Sequence, residues 1–208
     1  MFGIKFKILI ISGLMRCFST KLPYIVVDKI VEYKIKNGKE ATYNLNCNLK
    51  ARKNENDFCY KGRYNWDQED DIDVSVSGDG EFNYACSEEL KWSNVDIIPV
   101  DRIVHSNENV NVKLCLSNLY ISKLSKHSYL SCKMTEKVKH LVLSAVVDSN
   151  LKPSEKAVFI VQNPLGEEVS RETVKYDERT NSYKKNISYP RRGRKYIIKW
   201  DYKNNQSI

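Results

Sequence analysis

VNVKLCL, residues 110–116, alternates without a break: Val110, Val112, Leu114 and Leu116 are apolar, while Asn111 and Lys113 are polar and Cys115 is small. A period of two places one set of side chains on one face of an extended strand, as a half-buried β-strand requires. Outward from this stretch, short β-branched and aromatic runs recur along the whole chain, and helical periodicity is hard to find. The predicted strands are 24–35, 42–49, 72–76, 81–86, 95–104, 110–121, 128–134, 140–147, 157–162, 168–176, 182–189 and 195–202. Turn chemistry falls between them: Asn37-Gly38, Ser77-Gly78-Asp79-Gly80, Asn163-Pro164-Leu165-Gly166 and Arg192-Gly193. The expected fold class is all-β, with two β-sandwich domains of immunoglobulin-like kind behind a cleaved signal peptide.

The leader is residues 1–19. Lys5 and Lys7 precede an apolar block, Ile8 to Met15, and small residues stand at Cys17 and Ser19. A block of about eight residues is too short to span a bilayer, which takes roughly 20. The pattern is that of a secretory signal peptide cut after Ser19. A mitochondrial presequence is the alternative, since Arg16-Cys17-Phe18-Ser19 resembles a processing site and no acid precedes Asp28. A first strand of the fold is a third reading. The polar C-terminus, DYKNNQSI, has no GPI-type tail, so no transmembrane anchor is expected.

Charge divides the chain. Residues 136–208 hold fifteen Lys+Arg against nine Asp+Glu, a balance of +6, within a total of +8. All cysteines after the leader lie earlier: Cys47, Cys59, Cys86, Cys115 and Cys132. Their spacings match no zinc pattern, and no metal or cofactor is expected. In an exported chain they read as a disulfide framework with one cysteine left over, free or paired between chains. Reduced core cysteines in a mitochondrial protein are the alternative. A boundary near 134–140 follows, giving a disulfide-containing β domain over 20–135 and a small basic one over 136–208; one larger sandwich is the alternative. Asn186-Ile187-Ser188 and Asn205-Gln206-Ser207 are glycosylation sequons, with Asn186 and Asn205 as candidates.

Residues 157–202 run strand, N-P-x-G turn, strand, tyrosine-bearing strand, Tyr189-Pro190, glycine, and a final Tyr196-x-Ile198-x-Trp200 strand. This order resembles the C-terminal half of an immunoglobulin-like sandwich of the filamin or macroglobulin kind. The resemblance implies a fold and transfers no function. Cys47, Trp66 and Tyr84-Ala85-Cys86 also invite a classical immunoglobulin reading, a tryptophan against a disulfide, although the two cysteines are close in sequence for that fold.

Three places carry charge or titratable groups. Asp67-Gln68-Glu69-Asp70-Asp71-Ile72-Asp73 gathers five carboxylates, without the glycine and glutamate of an EF-hand. Pro190-Arg191-Arg192-Gly193-Arg194-Lys195 gathers four cations at an expected hairpin tip, a candidate grip on a polyanion. His105, His127 and His140 form no metal or catalytic motif, and no nucleophile elbow, P-loop or dinucleotide fingerprint occurs. No RNA-binding pattern accompanies the cations, which argues against nucleic acid. The expected function is a secreted, non-enzymatic binding or adhesion protein whose partner is another protein or a glycan. A secreted enzyme or toxin is the alternative.

Overall fold

The computed structural model describes residues 22–54, 58–64, 72–89, 92–100, 102–121 and 128–203. The expected leader, Cys17, Trp66, five of the residues in the acidic run, His127 and Asn205 lie outside the described residues. The chain is all-β. Among the described residues thirteen strands follow one another, with one 3-10 turn at Ser149–Leu151.

The strands are β1 (Tyr24–Lys36), β2 (Glu40–Ala51), β3 (Tyr60–Tyr64), β4 (Asp73–Gly78), β5 (Phe82–Glu89), β6 (Trp92–Pro99) and β7 (Asn109–Tyr120). They continue with β8 (Tyr129–Lys133), β9 (Val138–Val147), β10 (Lys156–Gln162), β11 (Glu168–Asp177), β12 (Ser182–Ser188) and β13 (Lys195–Lys199). Each of the twelve predicted runs overlaps one of these. The run expected to reach 104 ends at Pro99, where the chain turns. β3 is the strand that patterning missed. Its sequence, YKGRY, reads as a turn, but Gly62 is there for close approach: a Cβ at that position would stand 3.0 Å from Leu114 Cδ2.

Ten strands pair in the order β4-β7-β2-β1-β9-β12-β11-β10-β13-β8, and three more in the order β3-β6-β5. The long sheet is open, and it folds over at β11. The C-terminal end of β11 pairs with β12 at Tyr176 and Asp177, while its remaining length pairs with β10. β9 and β12 thus form one layer with β1, and β11-β10-β13-β8 lies across it. The small β3-β6-β5 sheet covers the β2 and β7 side of the same long sheet. One hydrophobic cluster runs through both halves.

Two pairings cross the expected boundary near 134–140: β1 lies parallel to β9, and β8 pairs with β13. The arginine-rich stretch also differs from expectation. Both of its flanks are strands, β12 and β13, but they do not pair with each other. β12 pairs with β9 and β11, and β13 with β10 and β8. Residues 189–194 therefore cross between layers and form no hairpin. Tyr189 turns the chain with φ of 51°, and Pro190 is buried in the crossing.

Candidate functional site

The crossing is held by its backbone. Tyr189 N–H donates to the Lys139 carbonyl at 2.6 Å, Gly193 N–H to the Met134 carbonyl at 2.7 Å, and Met134 N–H to the Arg194 carbonyl at 2.8 Å. Arg191 N–H donates to the Tyr196 hydroxyl at 2.8 Å, and the Arg192 guanidinium Nε donates to the Thr135 carbonyl at 2.8 Å. Gly193 has φ of 84° and a Cβ there would meet Pro164 Cγ at 3.2 Å, so the crossing lies against the β10–β11 turn. The four sequence candidates thus come together on a clamped backbone: Arg191 and Arg192 exposed, Arg194 and Lys195 half-buried.

The fold adds cations that the sequence reading did not join to them. Lys195 pairs in register with Lys133. Lys133 and Lys137 are exposed, and Lys139 is half-buried, on the segments the crossing touches. Like charges directly opposite on antiparallel strands repel. The signal that this end is basic was readable in the +6 balance, but the strand partners were not.

The expected disulfide framework is not formed: Cys47, Cys59, Cys86, Cys115 and Cys132 are all free thiols. Strand alternation turns Cys115 and Cys86 away from the two core thiols. Cys47 and Cys132 face the core, Cys115 lies on the opposite face of the long sheet between Leu114 and Leu116, and Cys86 is exposed on the small sheet. Cys47 and Cys86, the pair of the classical immunoglobulin reading, do not meet between the sheets: Cys47 is buried and Cys86 faces water.

A second group lies between the two covering layers. Lys29 Nζ donates to Glu136 Oε1 at 2.8 Å, both side chains buried. The Cys47 thiol and the Tyr60 hydroxyl are 3.1 Å apart beside them. Burial opposes the charge on Lys29, but Cys132, Glu136 and Cys47 face it and outweigh that effect, holding its pKa above the ordinary lysine range. Burial pushes the Cys47 thiol up to about 12, and raises Cys132 as well. These thiols are neutral and unreactive at physiological pH. Lys29, Glu136, Cys47 and Tyr60 are all buried, so the cluster is a polar group within the core.

His105 and His140 are exposed. His105 donates its backbone N–H to Glu108, and the His140 ring lies tilted against Tyr189 at 5.9 Å. Asn186 is exposed on β12. Among the described residues no cluster of metal-ligating side chains occurs, and no helix is long and apolar enough to cross a membrane.

No known protein family matches the chain, and no curated protein matches it. Solved structures do match. An M1 zinc metallopeptidase from Deinococcus radiodurans superposes with a TM-score of 0.48 at 8% identity, over 85% of this chain and 42% of that one. Leukotriene A4 hydrolase from Saccharomyces cerevisiae gives 0.47 at 12% identity, over 87% of this chain and 30% of that one. The RrgB pilus protein of Streptococcus pneumoniae gives 0.32 at 12% identity, over 85% and 36%. This chain spans less than half the length of each. None of their activities is transferred to it.

Proposed function

We propose that this chain is an exported, non-enzymatic binding or adhesion protein built on immunoglobulin-like sandwiches, and that it recognises an anionic partner with the basic end of residues 136–208. One observation carries the reading. Arg191, Arg192, Arg194 and Lys195 stand on a backbone clamped to residues 134, 135 and 139, so their positions are fixed before a partner arrives. Recognition commonly sits on loops that a rigid β scaffold positions. Pre-organised cations lose less entropy on binding than mobile ones. Export accords with the predicted leader and with the exposed sequon at Asn186.

Heparin-column elution of the whole chain against the Arg191→Ser, Arg192→Ser, Arg194→Ser, Lys195→Ser variant tests the reading, with thermal melts on both. Wild type is expected to elute at clearly higher salt, because polyanion attraction weakens as counterions compete. Equal elution salt overturns the recognition surface. N-terminal sequencing of the native protein tests export, and an intact Met1 in a cytosolic or mitochondrial fraction overturns that part.

A further inference from the structure

The two most exposed large hydrophobic side chains of the described residues flank the cationic crossing. Tyr189 is 70% exposed and Leu165 is 59% exposed. Tyr189 opens the crossing itself. Leu165 caps the β10–β11 turn, whose Pro164 lies against Gly193. The turn is rigid: the Asn163 side-chain oxygen accepts from Leu165 N–H at 2.9 Å and from Glu167 N–H at 3.0 Å. The turn thus holds an aliphatic side chain in a fixed place beside the cations.

Around these two side chains lie Lys133, Lys137, Arg191, Arg192, Arg194 and Lys195. Among the described residues, two carboxylates at this end are paired with cations, Glu136 with Lys29 and Glu168 with Arg171; Glu167 keeps its charge and accepts from the Asn163 amide, so the cations outnumber the free carboxylate. The register pair Lys195–Lys133 starts two lysine side chains from directly opposite positions on neighbouring strands. Such an end combines a positive field with a projecting aliphatic tip and an aromatic ring. A sulfated glycan would use the cations and have no use for Leu165. A bilayer surface uses all three, because headgroups attract the cations, tyrosine favours the interface, and the acyl boundary takes the leucine.

We propose that this end of the C-terminal sandwich docks on an anionic phospholipid bilayer, with Leu165 entering the interface and the lysines and arginines over the headgroups. The proposal rests on the recognition surface argued above and names its partner. The mode is peripheral attachment and spans nothing.

The test is cosedimentation of the whole chain with vesicles of phosphatidylcholine alone and with about 30% phosphatidylserine, at low and high salt, with heparin elution in parallel. Phosphatidylserine vesicles are expected to bind and phosphatidylcholine vesicles to bind far more weakly. Each cation replaced by Ser is expected to weaken binding about fivefold. Leu165→Ser is expected to weaken it about tenfold or more while leaving heparin elution unchanged. The Leu165→Trp variant is expected to show fluorescence quenching by brominated lipids beyond that of wild type. Thermal melts confirm that both Leu165 variants fold, since Asn163 holds the turn through backbone groups. Phosphatidylserine binding that ignores Leu165→Ser, or equal binding to both vesicles, overturns the proposal. Heparin retention without vesicle binding overturns the membrane partner and leaves the anionic reading. Failure on both surfaces removes both.

Discussion

The two covers of the long sheet are built from different side chains. Over β2 and β7 the small sheet contributes mainly aliphatic side chains, Val95 and Ile97, beside Leu45, Leu49, Val112, Leu114 and Leu116, and its buried Tyr60 bonds the Cys47 thiol inside the core. Over β9 and β12 the second cover contributes Phe159, Tyr196 and Trp200 against Tyr33 and Tyr183. Trp200 stacks on Tyr183 at 6.1 Å and tilts against Tyr33 at 6.3 Å, and Phe159 stacks on Tyr196 at 6.3 Å. Aliphatic side chains fill space and bind nothing else. Tyrosine hydroxyls removed from water favour a partner, and three in this half find one at a strand end or in a connection. Tyr183 bonds the Ser154 carbonyl, Tyr176 the Val147 carbonyl, and Tyr196 accepts from the Arg191 N–H. The aromatic half thus fixes its own connections, and the cationic crossing is one of them.

Trp200→Ala is the strongest attempt to break this contrast. It removes the largest fully buried side chain, the ring that Tyr183 stacks on and Tyr33 tilts against, which should cost about 3–5 kcal/mol. Chemical denaturation followed by tyrosine fluorescence and far-UV circular dichroism checks it. Because β1 pairs with β9 across the halves, both probes should shift together. Separate transitions would show that the halves unfold independently.

The Lys29–Glu136 pair lies between the halves and comes next. Lys29→Met alone leaves the Glu136 carboxylate buried without its cation, and should cost about 3 kcal/mol or more. Lys29→Met with Glu136→Leu removes both charges and should recover most of that loss. A urea midpoint series over the two variants tests it. A double variant as unstable as the single one would show that the pair does more than neutralise itself.

Lys29 also shows what was legible and what was not. The apolar residues Val31, Tyr33 and Ile35 place the odd positions of β1 on the core face, which puts Lys29 there too. Counting from Tyr24 and Val26 instead puts Asp28 inward. A bulge between Val26 and Asp28 changes the face, and no local signal in the sequence announces it. Twelve strands were readable because each carries its own alternation. β3 was not, because Gly62 answers to Leu114, about fifty residues away. The arginine stretch was readable as a cationic loop between strands. Its crossing between layers was not, because a strand's sequence states that it is extended and leaves its neighbour open. Lys133 and Lys137 joined the site only through that pairing. The cysteines misled for the same reason. Their number suggested bridges, but Cys115 faces away from Cys47 and Cys132 by one step of the pleat.

Thiol labelling sharpens the correction. The five thiols of residues 22–203 should all react after denaturation without reductant. In the folded protein at pH 8, exposed Cys86 should react first with a disulfide reagent, and Cys47 should stay protected. Its thiol, pushed up to about 12 by burial, holds little thiolate and is shielded as well. Fewer than five thiols in the unreduced, denatured chain would restore the bridge and remove the contrast between core-facing and exposed cysteines.

The smallest effect is electrostatic and belongs to the aliphatic half. Glu108 accepts from the His105 backbone N–H at 2.8 Å and is bonded by the Arg102 guanidinium. These two partners, the backbone N–H first, lower its pKa below the ordinary glutamate value. A carboxylate whose folded pKa is depressed stabilises the fold above its unfolded pKa. That contribution is lost as pH falls through the folded value. Water reaches this loop, so screening keeps the contribution below about 1 kcal/mol. Glu108→Gln retains an oxygen for the His105 N–H and removes the charge. It should therefore destabilise slightly at pH 7, and the gap to wild type should close as pH falls below about 4. Paired thermal melts between pH 3 and pH 7 test this. A gap that persists unchanged at pH 3 would mean that shape or hydrogen bonding, and not the carboxylate charge, holds the 102–108 loop. The two halves would then differ less than their side chains suggest, each tying its loops with backbone bonds.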